Sequence, residues 1–150
     1  MRNILIPAVA ACCLLGAAHS ATADARSDAN IQLVKNYVHD IRDAAFVKHD
    51  KDLVRKVAEQ YMAADYNQNK EGVTPDREGY IGGIWGMAQT IPAGAKLELD
   101  DIYFMADDDH VTWLTRHTVP DPTAPGKIKY TYVLNMVRIE NGKLKEHWGG

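Results

Sequence analysis

Cysteine is nearly absent from this chain, and where it occurs is informative. Cys12 and Cys13 both lie in the first 23 residues, which have the pattern of an export signal. Arg2 gives a positive start, residues 4–18 are apolar but too few to span a membrane comfortably, and Ala21-Thr22-Ala23 has the small-x-small form of a cleavage site. The sequence therefore predicts a signal peptide over 1–23 and a mature domain over 24–150, with no thiol, disulfide or cysteine metal site.

Two details of this export prediction have alternatives. Cleavage after Ala23 is the first choice and cleavage after Ser20 the second. Val9-Ala10-Ala11-Cys12 also resembles a lipoprotein processing site, at which Cys12 would be lipidated. In either case the mature domain is expected in the periplasm or outside the cell.

Strong charge of one sign is also missing. Removal of residues 1–23 leaves 16 basic and 20 acidic side chains, a net charge of −4, which argues against nucleic acid or an anionic membrane as a partner. No Ser-His-Asp set, phosphate loop or zinc spacing is present. The acidic run at residues 107–109 lacks the glycine and distal ligand of a calcium loop. We therefore predict a domain without a metal or cofactor.

Apolar periodicity predicts three helices in the mature chain. The first runs over about 28–48, capped by Ser27 or Asp28, and the second begins after the N-cap Asp50 and runs to about residue 58. The third opens with Thr74 as N-cap and continues to about residue 90. It contains four glycines, which would make sense if something packs very close to that face: Gly79, Gly82, Gly83 and Gly86.

The second half of the chain reads as strands. Alternation over 96–105 is disturbed at Asp100-Asp101, where a bulge is expected, and a solvated turn at 107–109 leads to a second strand. Asn141-Gly142 tolerates the positive φ angles of a two-residue hairpin loop, so 130–139 and 143–148 should pair as antiparallel strands. Three helices and four strands predict an α+β fold in which a curved antiparallel sheet, partly closed by the helices, forms a cone with an interior cavity.

Parity along the first hairpin strand indicates which residues line that cavity. Val133, Val137 and Ile139 share one face, and a two-residue period places Asn135 among them. A polar amide on an apolar face needs a partner, so Asn135 is either hydrogen-bonded scaffolding or a group that contacts a ligand. The opposite face carries apolar groups such as Tyr130 and Met136, which favours a homodimer.

Two stretches resemble a known family. DYNQNKEGVTPDREGY, residues 65–80, resembles the Tyr-x-Gln-His-Asn … Gly-Arg-Glu-Gly stretch of SnoaL-like proteins, a branch of the nuclear transport factor 2-like superfamily. VLNMVRIENGKLKEHW, residues 133–148, resembles the C-terminal hairpin of the same family. The resemblance implies the NTF2-like, or cystatin-like, α+β barrel. It also implies the intramolecular aldol closure, without cofactor, of the characterised polyketide cyclases.

The chain departs from the family pattern at two positions that carry the family's chemistry. The family's acid/base aspartate corresponds to Asn135, and the pocket histidine corresponds to Asn69. An amide does not titrate in the working range, so neither residue can act as a general base. The residues that do match the family motifs are Tyr66, Gln68, Arg77, Gly79, Arg138, Gly142, Glu146 and Trp148.

These observations lead to two alternative functions. The first is a cavity that binds a small, largely apolar carbonyl or polyketide-like compound without converting it, with ligand contacts from Tyr66, Gln68, Asn69, Trp85, Trp113 and Asn135. The second is a cofactor-independent lyase or isomerase in which Glu146 or His117 replaces the missing aspartate. If Leu144 and Trp148 face the interior, Glu146 is expected inside with them. An ion pair with a core-side arginine such as Arg77 or Arg138 is the favoured alternative explanation of this residue.

Overall fold

The computed structural model describes residues 11–72, 74–91, 98–121, 123–124 and 126–149. The first ten residues of the predicted signal peptide and the predicted strand start at 96–97 lie outside the described residues. The elements are α1 (Ala11–Arg42), a π-helical turn (Asp43–Val47), α2 (Lys51–Tyr61), β1 (Met62–Asn69), α3 (Arg77–Thr90), β2 (Glu98–Asp107), β3 (His110–Pro120), β4 (Ile128–Glu140) and β5 (Lys143–Gly149).

Side-chain capping fixes where two of the helices begin. Asp50 caps α2 as predicted, because its Oδ1 accepts a hydrogen bond from the Leu53 N–H at 2.9 Å. The cap of α3 is Asp76 and not Thr74, since the Asp76 Oδ1 accepts from the Gly79 N–H at 2.7 Å. The predicted start of α1 near Asp28 is also wrong, because the helix is already continuous from Ala11.

Only one of the four glycines of α3 is explained by close packing. A Cβ at Gly79 would collide with the Thr74 carbonyl oxygen, whereas a Cβ at Gly82, Gly83 or Gly86 would meet nothing within 4 Å. The expectation of a closely packed glycine face therefore holds at the first turn of α3 and is wrong further along the helix.

The five strands form one open, mixed sheet in the order β1-β5-β4-β3-β2. Strands β2 to β5 are antiparallel neighbours, as predicted, and the expected bulge shifts the register between Asp101 and Tyr103. Asn141 and Gly142 form the hairpin loop with φ values of 51° and 71°. The predicted antiparallel sheet lacked β1, which adds to β5 in parallel.

The helices pack against one face of the sheet, here called the inner face. Its strand positions belong to the same buried cluster as α1, α2 and α3: Val111, Trp113, Val137, Ile139 and Leu144. The other side, here called the outer face, leaves large apolar side chains in solvent: Tyr103, Met105, Tyr130, Tyr132 and Leu134. This arrangement confirms the predicted α+β fold with its helices gathered on one side of the sheet. No helix in the described part of the chain is long and apolar enough to cross a membrane.

Candidate functional site

Asn135 lies on the inner face, where strand parity placed it. It pairs directly with Trp113 on the neighbouring strand β3, and the two side chains are only 9% and 4% exposed. Val137 follows on the same face at 1% exposure. A neutral amide thus lies among buried apolar groups, where the free energy of leaving it without a hydrogen-bond partner is unfavourable.

A β-bulge decides which residue of β5 joins Asn135. The register shifts between Arg138 paired with Glu146 and Ile139 paired with Leu144, so that Lys145 is the extra residue. After the bulge the alternation is reversed, and His147 faces inward. The interior position expected for Glu146 is therefore wrong: its carboxylate is on the outer face, with Oε1 3.3 Å from the Arg138 Nη2.

His147 connects three strands through hydrogen bonds. Its Nδ1 lies 2.9 Å from Oε1 of Gln68 on β1, and its Nε2 lies 3.2 Å from Oδ1 of Asn135 on β4. The Tyr66 hydroxyl donates to the same Gln68 oxygen at 2.6 Å. We call Tyr66, Gln68, Asn135 and His147 the amide–imidazole set. Sequence reasoning missed His147, the residue at its centre.

The protonation state of His147 follows from its surroundings. Burial, with a smaller contribution from the positive charge of Lys70, lowers the pKa of His147 to about 4. At neutral pH the ring therefore carries one proton, although both ring nitrogens face oxygen acceptors. The shorter contact, to Gln68, assigns that proton to Nδ1 and leaves a lone pair on Nε2.

Asn135 must then present a donor to His147. A side-chain amide has nearly the same shape after a half-turn, and its orientation is assigned from its hydrogen bonds. Among the described residues, the competing contact is the one from Nδ2 to the Val133 carbonyl at 3.5 Å, which is too long to be strong. At neutral pH the Asn135 Nδ2–H thus donates to the His147 Nε2, and the whole set is uncharged.

A tyrosine cluster supports this set from the helix side. The rings of Tyr66 and Tyr80 meet edge to face at 6.0 Å, and the Tyr37 hydroxyl donates to that of Tyr80. Burial raises the pKa of Tyr80 to about 12 and raises the pKa of Tyr37 and Tyr66 well above the ordinary value of a phenol. These hydroxyls stay protonated at neutral pH and act as positioned donors rather than as bases.

A second, charged set occupies the inner face further along β3. Both terminal guanidinium nitrogens of Arg42 donate to the carboxylate of Asp101, at 2.6 and 2.9 Å, and the Thr115 hydroxyl donates to Asp101 Oδ1 at 2.7 Å. We call Arg42, Asp101 and Thr115 the charged set. Arg42 and Asp101 line an open cleft of about 430 Å³ between α1 and β2, whose walls also include Lys35, Leu99 and Phe104.

The remaining predicted site residues are distributed as follows. His117 shares the inner face with Thr115, and burial together with the positive charge of Arg42 lowers its pKa. Trp85 is half-buried on α3 and packs against the core. Asn69 is exposed, and its Oδ1 accepts from Asn67 at 2.9 Å. The predicted ligand contact of Asn69 is therefore wrong. Gln68 points inward, and adjacent residues in a strand point to opposite faces of the sheet.

The described residues contain no group of three His, Cys, Asp or Glu side chains placed to hold a metal ion. What the inner face offers instead is a compact array of neutral donors and acceptors within an apolar surface. Such an array suits a small uncharged molecule that presents one or two polar atoms.

Comparison with known proteins gives similarity in structure only. No family model matches the sequence, and no curated protein matches it. A protein assigned as a SnoaL-like polyketide cyclase from Jannaschia sp. CCS1 superimposes with a TM-score of 0.62 at 16% identity, over 83% of this chain and 86% of that one. AclR from Streptomyces galilaeus, assigned as a hydroxylase, gives 0.55 at 17% identity, over 80% and 79%.

An epoxide hydrolase from M. tuberculosis described as LEH-like gives a TM-score of 0.52 at 12% identity, over 82% of each chain. Neighbours assigned to three different reactions share this scaffold, and a shared scaffold does not by itself determine the reaction. What the similarity does show is the architecture: this chain has the NTF2-like fold in the form seen in SnoaL-like polyketide cyclases.

Proposed function

We propose that this chain binds a small, largely apolar compound of carbonyl or polyketide-like type at the amide–imidazole set. The observation that carries the proposal is His147, held between Asn135 and Gln68 on an otherwise apolar inner face. Neutral amides and a neutral imidazole match a neutral polar group of a ligand, while the surrounding apolar side chains match its hydrocarbon part. The cyclases with the same fold are consistent with a ligand of this class.

The proposal is binding rather than catalysis, for reasons of proton affinity. A histidine whose pKa is about 4 is a weak base toward a carbon acid. The Asn135 amide does not titrate in the working range and so is not a general base, and Glu146 is on the outer face beside Arg138. None of these groups replaces the aspartate that the cyclase reaction uses.

The test uses 1-tetralone, a bicyclic ketone, as the probe. Nuclear magnetic resonance of the mature chain should show the side-chain signals of Gln68, Asn135 and His147 shifting together as the probe is added. Exposed His39 serves as the internal control and should not move. Shifts confined to the cleft between α1 and β2 would contradict the proposed location, and no shift at all would contradict the proposed ligand class.

The alternative is a cofactor-independent lyase or isomerase of the aldol cyclase type. His117 favours it, because this histidine lies on the inner face with a pKa lowered by burial and is therefore neutral, and able to accept a proton, at neutral pH. The alternative predicts turnover with a pH–rate profile that loses one titration in the His117→Ala variant. A ligand that binds without turnover at any pH would leave the binding proposal in place.

A homodimer through the outer face forms part of the proposal. Alternate positions of β4 carry Tyr130, Tyr132 and Leu134, exposed by 47%, 58% and 61%, beside Tyr103 on β2. A second copy of this chain would cover these groups by repeating the same patch across a two-fold axis. Leu134→Glu should shift sedimentation from dimer to monomer at tens of micromolar. Val47→Glu, which changes an exposed apolar residue outside the sheet, should not.

Export by residues 1–23 is also proposed, with cleavage after Ala23. Expression of the full chain in a Gram-negative host should yield a periplasmic protein whose mass corresponds to a start at Asp24. A start at Ala21 would select the second cleavage site. A membrane-bound product that becomes soluble in the Cys12→Ser variant would select lipidation instead.

A further inference from the structure

Trp113 carries a buried hydrogen-bond donor. Its side chain is 4% exposed, and its ring stacks on that of His147 with centroids 5.8 Å apart and planes 17° apart. Its Nε1 is fully covered, yet it has no hydrogen-bond partner in the described part of the chain. Buried indole N–H groups usually find a partner, so this one calls for an explanation.

The neighbours of Trp113 cannot easily supply that acceptor. Two polar residues adjoin it: Asn135 is directly opposite in the strand ladder, and the indole lies on the ring face of His147. The lone pair of the His147 Nε2 is directed in the ring plane toward Asn135, and the Gln68 Oε1 already accepts from Tyr66 and His147. The Asn135 amide meets His147 and the Val133 carbonyl, and in the described part of the chain no hydrogen bond joins the indole to this set.

We infer that the Trp113 Nε1–H is the group that selects the ligand, by donating a hydrogen bond to an acceptor oxygen on it. This inference rests on the proposed function and adds what that function leaves open, namely which residue distinguishes a ligand from a hydrocarbon of the same shape. Stacking on His147 fixes the indole plane, so the direction of the donor is set before the ligand arrives. A pre-oriented donor loses little conformational freedom on binding.

The inference also states which chemical feature matters. A ketone or ester oxygen accepts the indole hydrogen bond, whereas a hydrocarbon of the same shape leaves the donor unpaired after the site has closed around it. Because the nitrogen is covered in this structure, the ligand must displace a neighbouring side chain to reach it. Selection thus comes from one donor, and the amide–imidazole set holds that donor in place.

The test compares 1-tetralone with tetralin, its hydrocarbon counterpart, by titration calorimetry. The wild-type chain should prefer 1-tetralone by about tenfold, the value of one net hydrogen bond. Trp113→Phe keeps an aromatic ring against His147 but removes the N–H, so the preference should disappear while tetralin still binds. Trp148→Phe, at the indole of β5 that pairs with Met136 on the other side of the sheet, is the matched control and should keep the preference.

The possible results separate the role of the Trp113 donor from the proposed binding function. A Trp113→Phe variant that keeps the full preference for 1-tetralone overturns the role of the donor, while the proposed binding function stands. A wild-type chain that binds neither compound overturns the proposed function, and the inference with it. If Trp113→Phe does not fold, the indole proton of the wild-type chain decides: its resonance should move downfield with 1-tetralone and not with tetralin, and an unmoved resonance overturns the inference.

Discussion

The amide–imidazole set and the charged set lie on the same inner face, and Trp113 and Thr115, two residues apart on β3, mark their positions. The charged set is self-contained, since the Asp101 carboxylate receives two bonds from Arg42 and one from Thr115. The amide–imidazole set is neutral at pH 7, and at its edge is an indole donor that has no partner among the described residues. From this difference we infer that the charged set fixes α1 to the sheet, and we propose that the amide–imidazole set receives the ligand.

The largest effect is expected from Arg42→Met, which leaves the Asp101 carboxylate without its counterion. Both side chains are about four-fifths buried, and removal of one partner from such a pair is strongly unfavourable. The free energy of unfolding should fall by about 3–4 kcal/mol in urea denaturation. The double variant Arg42→Met, Asp101→Leu should recover part of that loss.

The control for that variant is Arg116→Met at the exposed ion pair with Asp100, which should change stability little. An Arg42→Met variant no less stable than the Arg116→Met variant would contradict the structural role of the charged set.

The amide–imidazole set should make stability depend on pH. The pKa of His147 is about 4 in the folded chain and about 6.5 when unfolded, so the unfolded chain binds the extra proton between these values. The contribution of neutral His147 to the free energy of unfolding is therefore fully present above pH 6.5 and is lost as the pH falls toward 4. The loss amounts to about 3 kcal/mol. His147→Gln should remove this part of the pH dependence, measured by denaturation at several pH values.

The matched control is His39→Gln, because the side chain of His39 is 79% exposed. That variant should keep the slope of the wild-type chain between pH 6.5 and 4. Equal slopes for His147→Gln and the wild-type chain would show that His147 is not held neutral by the fold.

Asn135→Asp should convert the neutral set into a charged one. The new carboxylate would take the place of the amide that meets the His147 Nε2 at 3.2 Å, and its negative charge would hold a proton on that nitrogen. The pKa of His147 should then rise from about 4 to above its ordinary 6.5, at a cost in stability of about 2 kcal/mol. Asn69→Asp, at the exposed amide of the same polar stretch, should leave that pKa unchanged.

The smallest effect is expected from Tyr66→Phe. The hydroxyl donates to the Gln68 Oε1 at 2.6 Å, and its removal leaves that oxygen with the His147 Nδ1–H as a donor. A loss of about 1 kcal/mol in the free energy of unfolding is expected, because only one of the two bonds to Gln68 disappears. A loss as large as that of Arg42→Met would mean that the neutral set is the structural one.

Strand parity predicted the inner-face position of Asn135 correctly and the position of Glu146 wrongly. Asn135 was placed correctly because β4 alternates without interruption from Val133 to Ile139. Glu146 was misplaced because Lys145 is a bulge, and one extra residue reverses the faces of everything after it. Two adjacent charged residues broke the alternation at Asp100-Asp101, and there a bulge was expected. Lys145 and Glu146 are likewise two adjacent charged residues within a strand. A bulge predicted there would have placed His147 on the inner face.

Other features of the site had no such signal in the sequence. The hydrogen bonds of His147 join β1, β4 and β5, and the parallel pairing of β1 with β5 connects segments almost 80 residues apart. The Arg42–Asp101 pair likewise depends on how α1 crosses the sheet. Local patterns specify the elements and their faces, whereas these contacts depend on tertiary packing.

The most direct test of the neutral set is the proton on His147. A long-range proton–nitrogen correlation spectrum of the mature chain at pH 7, assigned with the His147→Gln variant, reports which ring nitrogen carries hydrogen. We predict a neutral ring with the proton on Nδ1, facing Gln68, and an unprotonated Nε2 that accepts from Asn135. A doubly protonated ring, or one that titrates near pH 6.5 as a solvated histidine does, would contradict this account of the site.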